Sequence, residues 1–117
     1  ELADIADKNR MQGLIIGNAS KNYKELNHPE EAPKEFRGGL SGVPCRERST
    51  ELIRKTREKY GKRFTIIGAG GIMSPDDAME KFFAGADLVQ LITGMVFEGP
   101  VLIKDICKRY AEQTRRL

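Results

Sequence analysis

Three clusters of small residues carry the chemistry open to this chain. Gly68-Ala69-Gly70-Gly71 follows one apolar run, Ser41-Gly42 lies inside Gly38-Gly39-Leu40-Ser41-Gly42-Val43-Pro44, and Thr93-Gly94 closes a second apolar run. Glycine lets a turn present its backbone N–H groups closely to a ligand. Several such N–H groups aimed at one point hold an anion without any basic side chain. Gly42, Gly71 and the Ile92-Thr93 peptide each supply one, the Thr93 hydroxyl adds a donor, and Ser41 and Gly70 flank them. Any one of these glycines alone is explained by a tight turn. All of them in this order favour a phosphate site.

Other chemically competent residues are weaker candidates. Asn18, in Gly17-Asn18-Ala19-Ser20, carries an amide that both donates and accepts. Its residue type and setting favour a turn position. Ser49-Thr50 suits a helix cap better than a nucleophile. His28 is the single histidine and sits in a polar segment, as a solvated loop residue rather than a base. Cys45 and Cys107 are far apart, with no partner at metal-ligand spacing, and are read as buried or incidental thiols in a reducing compartment.

The elements that must position these residues alternate. Leu2, Ile5 and Ala6 give a short amphipathic helix, and Leu14-Ile15-Ile16 a buried strand ending at Gly17. A long polar segment, residues 21–37, contains Pro29 and Pro33; its length favours a functional or mobile loop. Ser49 opens a helix to Tyr60 with Leu52, Ile53, Thr56 and Tyr60 on one face, and Gly61 ends it. Phe64 to Ile67 is the next strand. Ser74 caps a helix with Pro75 at its first position and Asp76 and Asp77 in its first turn, and Gly85 stops it in a left-handed conformation. Asp87 to Ile92 is the last strand, ended by a Thr93-Gly94 turn. Gly99-Pro100 starts a final helix with Leu102, Ile103, Ile106, Cys107 and Tyr110 as its stripe.

This order predicts an α/β fold with a parallel sheet. Its strands are continuously apolar, as strands covered on both faces are. The glycine and hydroxyl residues follow the C-terminal ends of strands, where parallel α/β proteins place their sites. A dinucleotide fold is disfavoured: Met73 stands where G-x-G-x-x-G needs its third glycine, and no acid ends the following strand. A Walker A loop lacks its Gly-Lys-Ser/Thr. The (β/α)₈ barrel, which often binds phosphate after strands seven and eight, fits better.

The chain has 117 residues with 39% hydrophobic content, a net charge of +3 and no Trp. That is about half a typical barrel of roughly 250 residues. Its first residue is Glu1, and Glu1 to Arg10 suits the middle or end of a helix, which suggests a C-terminal piece of a longer protein. Charges of both signs are mixed, so the basic end at Arg109, Arg115 and Arg116 is read as a solvated helix end. No apolar run is long enough to span a membrane, and no nucleic-acid or zinc motif is present.

Gly38 to Pro44 (GGLSGVP), Ser49-Thr50, Ile66 to Ile72 (IIGAGGI), Asp76 to Gly94 (DDAMEKFFAGADLVQLITG) and Glu98 to Ile106 (EGPVLIKDI) closely resemble the C-terminal part of dihydroorotate dehydrogenases. The last two are most similar to the quinone-using class. The resemblance covers essentially the whole chain and is weakest from Lys21 to Phe36. It implies the C-terminal portion of a (β/α)₈ TIM barrel, about the last three strands and their helices, holding FMN. The implied reaction is oxidation of dihydroorotate to orotate in pyrimidine biosynthesis, with electrons passing on to a quinone through upstream residues. Ser41, Gly42, Gly70, Gly71, Ile92 and Thr93 match positions around the FMN phosphate, and Asn18 matches a residue that hydrogen-bonds the substrate ring. Ile92 replaces a frequent Tyr, a change that a backbone contact survives. The catalytic base lies outside the chain, so no catalytic residue is named. The implied location is cytoplasmic, or peripheral to the inner membrane through an upstream segment.

One stretch departs from the family pattern. Gly17 and Ala19 stand where Thr-Asn-Thr-Thr places hydroxyls, and only Ser20 remains. Two other readings therefore stay open: an FMN- or phosphate-binding barrel oxidoreductase with a different substrate, and a catalytically silent half-barrel that assembles with itself or with an N-terminal half.

Overall fold

The computed structural model describes residues 1–26, 28–32, 35 and 38–116. Helix α1 (Leu2–Lys8) leads to strand β1 (Gly13–Ile16); α2 (Arg46–Tyr60), β2 (Thr65–Ala69), α3 (Pro75–Ala84), β3 (Leu88–Gln90), α4 (Thr93–Glu98) and α5 (Val101–Arg115) follow. The three strands are parallel and lie side by side in chain order. Sequential neighbours of this kind are what a barrel wall requires.

Alternation along each strand sorts its side chains. Leu14, Ile16, Ile66 and Val89 point to the helix layer. Ile53 of α2 is fully buried there with Phe64, Ile66, Ala84 and Ala86, while Leu14, Ile16 and Tyr60 pack around them. A second cluster joins Ile72, Ala78 and Met79 to Leu102 and Ile106 of α5, with Val89 against it. Gly68 permits the close seat of α2: a Cβ there would lie 2.8 Å from Ile53 Cδ1. Burying a side chain like Ile53 contributes about 1.5–3 kcal/mol, so these clusters hold the helices on one face of the sheet.

The opposite face is different. Ile15, Ile67 and Leu88 stand in one cross-strand row, with Ile15 62% and Leu88 55% exposed. Strands covered on both faces are therefore realised on one face only among the described residues. The molecule is a slab, 44 × 36 × 18 Å.

Several local expectations change. Helix α2 begins at Arg46, not at Ser49, because the 3₁₀ turn Val43–Cys45 already starts the helical path. Ser49 and Thr50 are buried inside the helix and cap nothing. The last strand is shorter than Asp87 to Ile92: the Asp87 carboxylate accepts from Ile66 N and from Arg57, and Ile92 leaves the extended region. Thr93-Gly94 is not a terminating turn but the first turn of α4. The helix from Pro75 matches expectation: Ser74 Oγ accepts from Asp77 N at 3.2 Å and Gly85 has φ 115°.

The polar segment contains 3₁₀ turns at Tyr23–Glu25 and Pro29–Glu31. Its base is closed by an antiparallel bridge between Ser20 and Leu40, with N···O distances of 2.9 and 2.6 Å. Pro33 and the Phe36 boundary lie outside the described residues. His28 is exposed and pairs with Glu30 at 3.2 Å. Cys45 is buried, its thiol donating to Leu40 O, and Cys107 is exposed.

Candidate functional site

A cavity of about 250 Å³ opens at the C-terminal ends of the strands. Its lining includes Asn18, Ser41, Gly42, Gly70, Gly71, Ile92 and Thr93. Every residue singled out for binding thus meets at one place, brought there by the turns after β1, β2 and β3 and by the segment before α2. The volume is just below the roughly 300–1,000 Å³ of a whole small-molecule site.

Each turn has a physical reason to be where it is. Gly71 has φ 75°, and a Cβ on it would fall 2.3 Å from Arg46 Cβ and 2.4 Å from Arg46 Cα. Only glycine lets the β2–α3 turn press onto the start of α2. Gly42 has φ 78° and sits 3.1 Å, by the same measure, from Thr93 Cγ2. That contact brings the segment before α2 against the β3–α4 turn, and the Thr93 hydroxyl donates to Ser41 Oγ at 2.8 Å across it. The N–H groups of Gly42, Gly70 and Gly71 have no acceptor among the described residues.

The β2–α3 turn is fastened at both ends. Ser49 Oγ lies 3.3 Å from Gly70 O. Asp77 Oδ2 accepts from Met73 N at 3.0 Å, and its other oxygen pairs with Arg46 at 3.0 Å. Arg46 also grips Glu80 through two bonds of 3.0 and 2.7 Å. That grip raises the guanidinium's affinity for its proton. Such bidentate, charge-assisted pairs are the stronger hydrogen bonds, and together they lock α2, α3 and the turn between β2 and α3.

Beneath the turn lies Lys81, fully buried. Its ammonium donates to Ser49 Oγ and Thr50 Oγ1 at 2.6 Å each and to Arg46 O at 2.8 Å. Burial lowers its pKa from 10.5 to about 8, against a pull upward from Glu80 and Asp77. Sequence reading passed over this residue. Its signal was present: Lys81 stands three residues after Ala78 and three before Ala84, on the buried stripe of α3.

Asn18 is exposed on the rim, and its Oδ1 accepts from Ala19 N at 2.8 Å. That local bond gives Asn18 its turn character, while Nδ2 has no acceptor among the described residues. Gly17 has φ 131°, and a Cβ there would be 2.1 Å from Ala69 O. The change at this position is thus one of backbone as well as of side chain: the strand end turns in a way that a threonine opposes. No group of three metal-ligating side chains occurs among the described residues.

Comparison with known proteins follows the same lines. The family described as dihydroorotate dehydrogenase matches residues 1–113. A dihydroorotate dehydrogenase (quinone) from Christiangramia forsetii is 44% identical over 113 residues, 97% of this chain and 32% of the relative. One from Bartonella tribocorum is 43% identical over 119 residues, 99% of this chain and 32% of its own length. The solved structure of DHODH in complex with ferulenol from Eimeria tenella superposes with a TM-score of 0.82 at 27% identity, over 98% of this chain and 30% of that one. The chain spans about a third of the length of the curated relatives it matches.

Proposed function

Because this chain belongs to the dihydroorotate dehydrogenase family, we propose that it supplies the FMN-phosphate site and part of the substrate site of a quinone-linked dihydroorotate dehydrogenase. The observation that carries this reading is the convergence of Gly42, Gly71 and Thr93 on one cavity, with N–H groups at both glycines that have no acceptor among the described residues. The fit to a phosphate is chemical. These donors are neutral, several, and placed where a side chain on Gly71 would collide with α2. An anion with several oxygens satisfies them together.

In this proposal Gly42, Gly71 and the Ile92-Thr93 peptide hold the phosphate, and on binding the Thr93 hydroxyl turns its proton from Ser41 to the phosphate while accepting the Ser41 proton. Ser41 orients Thr93, and Gly70 carries the peptide that presents the Gly71 N–H. Asn18, through its free Nδ2, donates to a carbonyl of the dihydroorotate ring. FMN, when bound, accepts the hydride removed from dihydroorotate as orotate forms. This chain fixes the cofactor's phosphate end and one edge of the substrate. The proton-abstracting group, the quinone contacts and any attachment to a membrane are assigned to residues outside it, in a single barrel domain of which residues 1–117 form the C-terminal part.

The test is purification of the protein carrying this chain, followed by its flavin spectrum and an assay of quinone reduction driven by dihydroorotate. Bound FMN and dihydroorotate-dependent quinone reduction are expected. A folded protein that neither retains nor takes up FMN, and that shows no such reduction, overturns the proposal.

A further inference from the structure

We propose that Lys81 is a positioning residue for the phosphate cradle, acting through the Ser49 hydroxyl to set the direction of the Gly71 N–H. This inference rests on the reading of the cavity as a phosphate site.

Each proton around the Lys81 ammonium has one place to go. The three N–H groups of the Lys81 ammonium are all placed, on Arg46 O, Ser49 Oγ and Thr50 Oγ1. Because Lys81 donates to Ser49 Oγ, the Ser49 proton must point elsewhere. Two carbonyls are in range, Arg46 O and Gly70 O, both at 3.3 Å. Arg46 O already accepts from Lys81 at 2.8 Å and from the Thr50 hydroxyl at 2.9 Å. As the first residue of α2, Arg46 also gives this oxygen to the helix ladder, so it has no lone pair to spare for Ser49. Gly70 O is left as the acceptor for Ser49.

The consequence reaches the cavity through one peptide plane. Gly70 C=O and Gly71 N–H belong to the same trans peptide, so they point in opposite directions. Holding Gly70 O down toward α2 turns the Gly71 N–H away from α2. That N–H has no protein acceptor among the described residues, and Gly71 lines the cavity. Glycines at 70 and 71, with φ 98° and 75°, make a flexible segment that could otherwise place this peptide several ways. No carboxylate oxygen accepts a hydrogen bond from Lys81 among the described residues; its polar contacts are neutral oxygens. A buried ammonium is a costly way merely to fill space, whereas orienting a hydroxyl and a peptide gives it a purpose.

The test compares binding of FMN with that of riboflavin, which lacks the phosphate, to flavin-stripped protein. Wild type, Lys81→Met and Ser49→Ala are each titrated with both flavins by fluorescence. The preference of wild type for FMN over riboflavin is expected to fall by about 3- to 10-fold in either variant, the scale of one hydrogen bond. Riboflavin affinity itself should stay unchanged. The double variant should lose no more than Ser49→Ala alone, as expected for residues acting in one chain. Equal losses for FMN and riboflavin indicate a general structural role and overturn the inference, as does an unchanged preference in Ser49→Ala. If Lys81→Met does not fold, Ser49→Ala decides the matter alone. A wild type with no preference for FMN over riboflavin overturns the phosphate reading itself, an outcome separate from failure at Lys81.

Discussion

Gly71 is pressed closely onto α2, and Gly71→Ala measures that approach. A Cβ at residue 71 would stand 2.3, 2.4 and 2.7 Å from Arg46 Cβ, Cα and N. Carbon atoms at rest sit about 3.5–4.0 Å apart, so the turn or the helix must yield by more than about 1 Å. Helix α2 cannot retreat freely, because Arg46 is held by Asp77, Glu80 and Lys81. Overpacking of this sort costs about 1–3 kcal/mol, and placing an L-residue at positive φ adds about 1–2 kcal/mol. Gly99 supplies the control: it has the same φ of 75°, and a Cβ there meets nothing within 4 Å. Gly99→Ala should therefore cost only backbone strain, about 1–3 kcal/mol at its φ 75° and ψ 179°. Urea unfolding of flavin-stripped protein reads both. With a slope of about 2 kcal/mol per M, the midpoint of Gly71→Ala should drop by roughly 1–2.5 M and that of Gly99→Ala by about 0.5–1.5 M. A saturating addition of FMN, about 100 times its Kd, should then restore about 2.7 kcal/mol to wild type and to Gly99→Ala. It should restore far less to Gly71→Ala. Equal midpoints for the two variants, with equal rescue by FMN, would refute the close-approach argument.

Two further outcomes follow from single contacts. Thr93→Val removes the hydroxyl that donates to Ser41 at 2.8 Å and is assigned to the phosphate; FMN affinity should fall by about 3- to 10-fold with riboflavin affinity unchanged, and an unaltered FMN titration would exclude that hydroxyl from the site. Burial pushes the Asp87 carboxyl up, but the Ile66 N–H and Arg57 outweigh it and hold its pKa below 3.8. Its stabilisation is therefore full above pH 4 and fades as pH falls below that. The Tm of wild type should converge on that of Asp87→Asn as pH drops from 7 to 3, and a gap that stays constant would exclude a low carboxyl pKa.

The features legible in the sequence were those governed by neighbours a few residues away. Ser74-Pro75 and Gly85 bound α3 where their types require, since a cap and a left-handed stop act on the adjacent turn. The glycines at 42 and 71 could be singled out because positive φ belongs to glycine. Where prediction missed, contacts between distant elements decided the outcome. Ser49 has the residue type of a cap, yet the Val43–Cys45 turn starts α2 earlier and leaves Ser49 facing Lys81 from another helix. Asp87 has the position of a strand residue, yet its carboxylate is taken by Ile66 N and by Arg57, thirty residues away. What the amino-acid types revealed was the set of donors; what they concealed was which helix holds each donor in place.

The two faces of the sheet bear on how the cradle is built. The helix face is closed by two apolar clusters and by Lys81, Arg46 and Arg57, each with its polar groups matched. The other face presents Ile15 and Leu88 to solvent in register with Ile67. The groups that orient Gly70 and Gly71 all belong to α2 and α3, on the closed side. The direction of the Gly71 N–H is consequently set by contacts that do not involve Ile15, Ile67 or Leu88. Asn18 is different, because it hangs from the end of β1, beside the open row, and among the described residues its side chain bonds only Ala19 N. On the proposed reading, a phosphate held at Gly42 and Gly71 would meet donors already oriented by α2 and α3, whereas Asn18 has no such support from the closed side. The proposed phosphate end is therefore the part of the site that these residues would fix by themselves.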